Sequence, residues 1–196
     1  MNLHVLKNLV NIHKADVKHS HKKKIVEKHH REFVSLDLET TGFNPKYAKI
    51  IEIGAIRFVD EIPVETFQSL INPRIPIPKK ITEITGITND MVINAPTIEI
   101  VFPQFIAFLK DSPIVAHNSS FDMGFIQHTA QSFAIRICNP IIDTLQISRI
   151  MFPNLDNHKL NTVSDYLQIK LENHHRSMSD SAAAAEIYIK CLKMLS

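Results

Sequence analysis

The chain has 196 residues, 44% of them hydrophobic, enough to bury the core of one domain. Its two cysteines, Cys138 and Cys191, stand far apart with no CxxC pair, which argues against a disulfide framework or zinc knuckle and suits a reducing, cytoplasmic setting. The first ten residues mix polar Asn2, His4, Lys7 and Asn8 with apolar ones, and no apolar run approaches the ~18 residues of a membrane span, so neither a secretory signal nor a membrane partner is expected.

The net charge of +2 is unevenly spread. Residues 1–31 carry eight Lys/Arg against Asp16 and Glu27, a net of +6, and the rest of the chain carries a net of −4. Such a basic extension can hold nucleic-acid phosphates or another acidic surface, or remain a solvated tail. Its six histidines lack regular ligand spacing. Leu3, Leu6 and Leu9 or Val10 predict a short amphipathic helix, followed by a charged linker from His19. The folded domain is expected over 32–196, opening with a strand at Phe33–Glu39 that ends at the turn-like Thr41-Gly42.

Strands are predicted at Ile50–Val59 and Val64–Ile71, an antiparallel pair separated by a polar break with Pro63. A short helix at Ile81–Thr85 stops at Gly86. Thr97–Leu109 reads as an amphipathic helix, Pro113–His117 as a short buried strand, and Ser119 or Ser120 to about Gln131 as a helix. A strand at Ile137–Ile142 precedes helices at Thr144–Met151, Leu160–Leu167 and Ser179–Leu195, the last containing four consecutive alanines. Strands early and helices later give a mixed α/β domain with helices covering a sheet.

Asp37 and Glu39 are two apart in a predicted strand, so both side chains project from one face. Two anions held together raise a pKa or require a cation, and hard oxygen ligands suit Mg²⁺ or Mn²⁺. A lone DxE reads first as a solvated strand end, since so short a motif recurs by chance. His117-Asn118-Ser119-Ser120-Phe121-Asp122 stands where a buried strand hands over to a helix, where an aspartate also serves the helix dipole. His175-Arg176-Ser177-Met178-Ser179-Asp180 stands at the mouth of the last helix, where Asp180 reads equally as a helix-start residue and His175 as a solvent-facing histidine.

In combination, D-x-E, HNxxFD and HRxxxD resemble the three motifs of the DEDDh exonucleases, a branch of the DnaQ-like, RNase H-like superfamily. Thr40-Thr41-Gly42, Ile84–Thr88, Ala95-Pro96 and Asn139–Thr144 also look family-like. The run Met151-Phe152-Pro153 to His158–Thr162, with His174-His175-Arg176, is most like the exonuclease domain of PolC-type replicative polymerases. The resemblance covers residues 32–196 and departs from the family pattern at Ser177, Met178 and Ser179, where relatives tend to carry small or bulky apolar residues.

The resemblance implies an RNase H-like fold, a central mixed five-stranded sheet flanked by helices. It implies two metal ions, Mg²⁺ or Mn²⁺, held by Asp37, Glu39, Asp122 and Asp180, with His175 as general base for 3′-5′ hydrolysis of a phosphodiester. Thr40, Thr41, Gly86, Ile87 and Asn118 would line the terminal nucleotide, with Phe43 or Ile87 as an apolar wall. The expected partner is a nucleic-acid 3′ end, with DNA favoured and a DNA polymerase subunit as a candidate associate. The alternatives are an exoribonuclease and a catalytically silent binding module of the same fold, although no motif carboxylate is lost.

Overall fold

The computed structural model describes residues 30–171 and 174–195. The expected amphipathic helix and linker of the N-terminal extension lie outside the described residues. The first described strand, β1 (Glu32–Thr40), pairs antiparallel with β2 (Ile50–Val59), which pairs antiparallel with β3 (Ile62–Leu70). On its other side β1 pairs parallel with β4 (Ile114–Ala116), and β4 parallel with β5 (Ile141–Asp143). The result is one mixed five-stranded sheet of order β3-β2-β1-β4-β5.

Seven helices are seen among the described residues: α1 (Lys79–Thr85), α2 (Asn89–Val92), α3 (Ile98–Leu109), α4 (Ser120–Ser132), α5 (Thr144–Met151), α6 (Leu160–Tyr166) and α7 (Ser177–Lys193). None is long and apolar enough to cross a membrane. Side chains alternate along β1, and the alternation sorts the core. Val34, Leu36 and Leu38 pack with Phe102 and Phe105 of α3 and Ile126 of α4. Phe33, one residue out of phase, packs on the other face with Val163 of α6 and Ala185 and Tyr188 of α7. Its ring stacks on Phe58 at 5.0 Å and meets Tyr188 edge-on at 5.3 Å.

Two strands depart from expectation. The reversal between β2 and β3 falls at Asp60 and Glu61, both in the left-handed region at φ 50° and 67°, and Pro63 lies inside β3 instead of before it. As an edge strand β3 accommodates a residue without an N–H, and the register shifts beside the Phe58–Pro63 pair. β5 begins only at Ile141 because Pro140 has no N–H for a ladder, while Asn139 turns its amide to the carbonyls of Lys110 and Ser112.

Candidate active site

The β1 alternation that sends Leu36 and Leu38 into the α3/α4 core turns Asp37 and Glu39 towards α7. In the ladder Asp37 stands opposite Gly54 of β2. A Cβ at Gly54 would lie 2.5 Å from the Ser177 carbonyl carbon and 2.6 Å from the Met178 nitrogen. Only a residue without a side chain therefore lets the first turn of α7 rest on the sheet there. That contact delivers Asp180 to the DxE pair: one oxygen each of Asp37, Glu39 and Asp180 lie within 4.8 Å of one another.

Asp122, in the first turn of α4, enters from beyond the end of β4 and accepts a hydrogen bond from the Leu38 amide at 3.1 Å. It lies beside the group of three without belonging to it. Burial, with Asp122, Glu39 and Asp180 as neighbouring anions, raises the Asp37 carboxyl well above its ordinary range. Glu39 is pushed up to about 8 by burial and by the charges of Asp180, Glu52 and Asp122. Asp122 is likewise pushed up to about 8, burial outweighing the backbone hydrogen bonds that favour its anion.

The approach to α7 is held from below by Glu52, fully buried on β2. Its carboxylate accepts from Arg176 Nη2 at 2.7 Å, Arg176 Nε at 3.3 Å and the Ser177 amide at 3.0 Å. Burial alone would raise Glu52, but these donors outweigh it and leave the group below its usual value. The Arg176 guanidinium is thus committed to Glu52.

Both histidines before α7 reach Asp180. The His174 ring places Nδ1 3.1 and 3.2 Å from its two oxygens, and the backbone amide of His175 donates to Oδ2 at 3.1 Å. Sequence register singles out His175 alone; the His174 ring contact spans only six residues but has no signature in the motif. Burial and then the adjacent His174 lower the His175 imidazole below its ordinary value, against the pull of Asp180. His117 of the second motif is differently engaged, its ring nitrogens meeting Thr144 Oγ1 at 2.9 Å and the His158 carbonyl at 2.8 Å.

These groups floor a cavity of about 940 Å³. Thr40 and Asn118 line it, the latter at φ 63° with its backbone amide donating to Asp143 Oδ1 at 3.0 Å. Thr41, Gly86 and Ile87 do not. The Thr41 hydroxyl accepts from the Lys49 amide at 2.9 Å and ties β1 to β2. Gly86 at φ 71° ends α1, and Ile87 is fully buried with Ile51, Ile77, Ile81 and Val92. The apolar wall is formed by Phe43, 76% exposed, with Ile81 and Ile84. Arg149, Asn157, Lys159 and Asn161 also line the cavity. The run containing Lys159 and Asn161 is already family-like in sequence, whereas Arg149 carries no sequence signal.

A family model described as exonuclease, RNase_T, matches residues 34–188. The chain belongs to the exonuclease family. This exonuclease chain is 44% identical over 164 residues to DNA polymerase III PolC-type of Caldanaerobacter subterraneus subsp. tengcongensis, covering 84% of the chain and 12% of that protein. It is 46% identical over 156 residues to the PolC-type polymerase of Clostridium perfringens, covering 80% and 11%. The chain thus spans about a tenth of the length of these relatives. Its fold is shared with Exonuclease X in complex with 5′ overhanging duplex DNA, at TM-score 0.69 and 24% identity over 83% of this chain and 92% of that one. The nuclease domain of 3′hExo, a DEDDh family member bound to rAMP, superposes at TM-score 0.71 and 20% identity, covering 85% and 94%.

Within this exonuclease domain the donor set can be tested against a hard divalent cation. Three carboxylates from two elements converge within 4.8 Å, Glu39 and Asp122 are raised to about 8, and the Arg176 guanidinium, whose charge only partly offsets the rise at Glu39, is paired with Glu52. Oxygen-only donors in mutual repulsion fit Mg²⁺ or Mn²⁺.

Proposed function

We propose that the chain is a 3′-5′ exonuclease that releases nucleoside 5′-monophosphates from single-stranded or frayed DNA 3′ ends. The observation that carries the reading is the convergence of Asp37, Glu39 and Asp180 at the floor of the cleft, with Asp122 alongside. In this reading the four carboxylates hold two divalent ions, Mg²⁺ or Mn²⁺. When bound, such a pair supplies charge neutralisation for the phosphate oxygens and makes water a stronger acid.

The remaining work falls to the chain's own residues. His175, neutral at physiological pH because its pKa is lowered, accepts the proton of the attacking water. Thr40 and Asn118 position the terminal nucleotide, Phe43 and Ile84 offer apolar surface to its base, and Arg149 and Lys159 attract the phosphates of the incoming strand. The strong similarity to PolC-type DNA polymerases supports DNA over RNA and supports a replicative polymerase as partner.

The test is digestion of matched DNA and RNA oligonucleotides labelled at the 5′ end, with Mg²⁺, Mn²⁺ or EDTA. A descending ladder on DNA, abolished by EDTA, is expected. No nucleotide release under either metal, from protein of verified fold, would sink the reading.

A further inference from the structure

Consecutive side chains normally diverge, but His174 and His175 do not. His175 occupies the left-handed region at φ 66°, a strained conformation for a residue with a side chain. The consequence is that the two imidazoles stack, ring centres 3.8 Å apart and planes 23° from parallel. Ligand atoms of His174, His175 and Asp180 all lie within 4.8 Å of one another. The Asp180 carboxylate belongs to this group and also to the all-oxygen group with Asp37 and Glu39.

We infer that His174, His175 and Asp180 form a second cation site, selective for Zn²⁺ or a similar borderline ion, that competes with the oxygen cluster for Asp180. Two imidazoles and one carboxylate are the donor types that Zn²⁺ accepts, with a fourth tetrahedral position left to water. Mg²⁺ prefers six oxygens and gains little from imidazole, whereas first-row metals late in the divalent series bind nitrogen strongly. An ion bound by a ring nitrogen of each histidine and by the Asp180 carboxylate draws Asp180 away from Asp37 and Glu39 and occupies the His175 ring. Zn²⁺ is then an inhibitor whose seat differs from that of the hard ions. The inhibition rests on the exonuclease reading; the binding does not.

The full chain, stripped of metal, is titrated with Zn²⁺ by calorimetry and with Co²⁺ by visible absorption. One Zn²⁺ site is expected whose affinity falls by at least about 10- to 100-fold in His174→Ala, the loss that even outer partners of a metal site produce. His175→Ala, with circular dichroism verifying both folds, should reproduce it, and Asp37→Asn should retain the site. Co²⁺ should give the intense bands of a four-coordinate centre in wild type and lose them in His174→Ala. Unchanged Zn²⁺ affinity in both histidine variants, or loss of the site in Asp37→Asn instead, would overturn the proposal. If nucleotide release with Mg²⁺ and Mn²⁺ is absent while the Zn²⁺ series behaves as expected, the exonuclease reading fails and the site stands.

Discussion

His175 has a lowered pKa, is exposed to the cleft and holds Asp180 through its backbone amide, so its ring and its main chain have separable duties. Replacing it by Ala keeps the amide and removes the ring. We expect kcat to fall by about 10²- to 10⁴-fold, the range for a positioned general base, with hard-metal affinity retained. The rising limb of the wild-type pH–rate profile, measured at saturating metal, should lie below pH 6.5 and flatten in His175→Ala. The carboxylates make a separate prediction for metal-free protein. A carboxyl whose folded pKa exceeds its unfolded value stabilises the fold when protonated, and that contribution is lost as pH rises through the folded pKa. For Glu39 and Asp122 the window runs from the ordinary values of 4.5 and 3.8 up to about 8. Calorimetry in EDTA should therefore show Tm falling from about pH 4.5 to 8, less steeply in Asp37→Asn, which removes one repelling charge.

The meeting of β2 with α7 is the joint on which the cluster depends. Gly54→Ala should force the first turn of α7 off the sheet and cost about 1–3 kcal/mol as overpacking, read from denaturant melts. Because a displacement of about 1 Å can cost on the order of 10²-fold in rate, nucleotide release should suffer more than stability. Elements with strong periodicity and clear ends were legible in the sequence, as with β2 and α5, the latter begun by Asp143 accepting from the Leu145 amide at 2.9 Å. The four-residue α2, begun by Thr88, is too short for its period to appear. In the site, it is the resemblance of the three motifs to those of the DEDDh exonucleases that singles out the acids; residue type and spacing alone leave each one open to a purely structural reading. Spacing could not reveal the tertiary Glu52–Arg176 pair and the burial of Ile87 behind α1, nor the local turn that lays the His174 ring on Asp180.

At the scale of the molecule, charge is divided between a basic extension and an acidic remainder. We propose that residues 1–31 act as a phosphate-holding arm outside the catalytic domain of 32–196. Removing them should leave chemistry intact but weaken DNA binding and flatten its dependence on salt; equal salt slopes would show that the extension touches no phosphates. The β1–α7 contact also sets an order in time. The first two acids stand at Asp37 and Glu39 and the last at Asp180, on the final described helix. At about 5–20 residues per second, a ribosome needs on the order of ten seconds to travel from the first to the last. During that interval the hairpin of β1 and β2 can exist, yet Gly54 has no helix against it and the acidic strand lacks its third carboxylate. A nascent chain therefore cannot assemble this cluster until α7 has docked on the sheet.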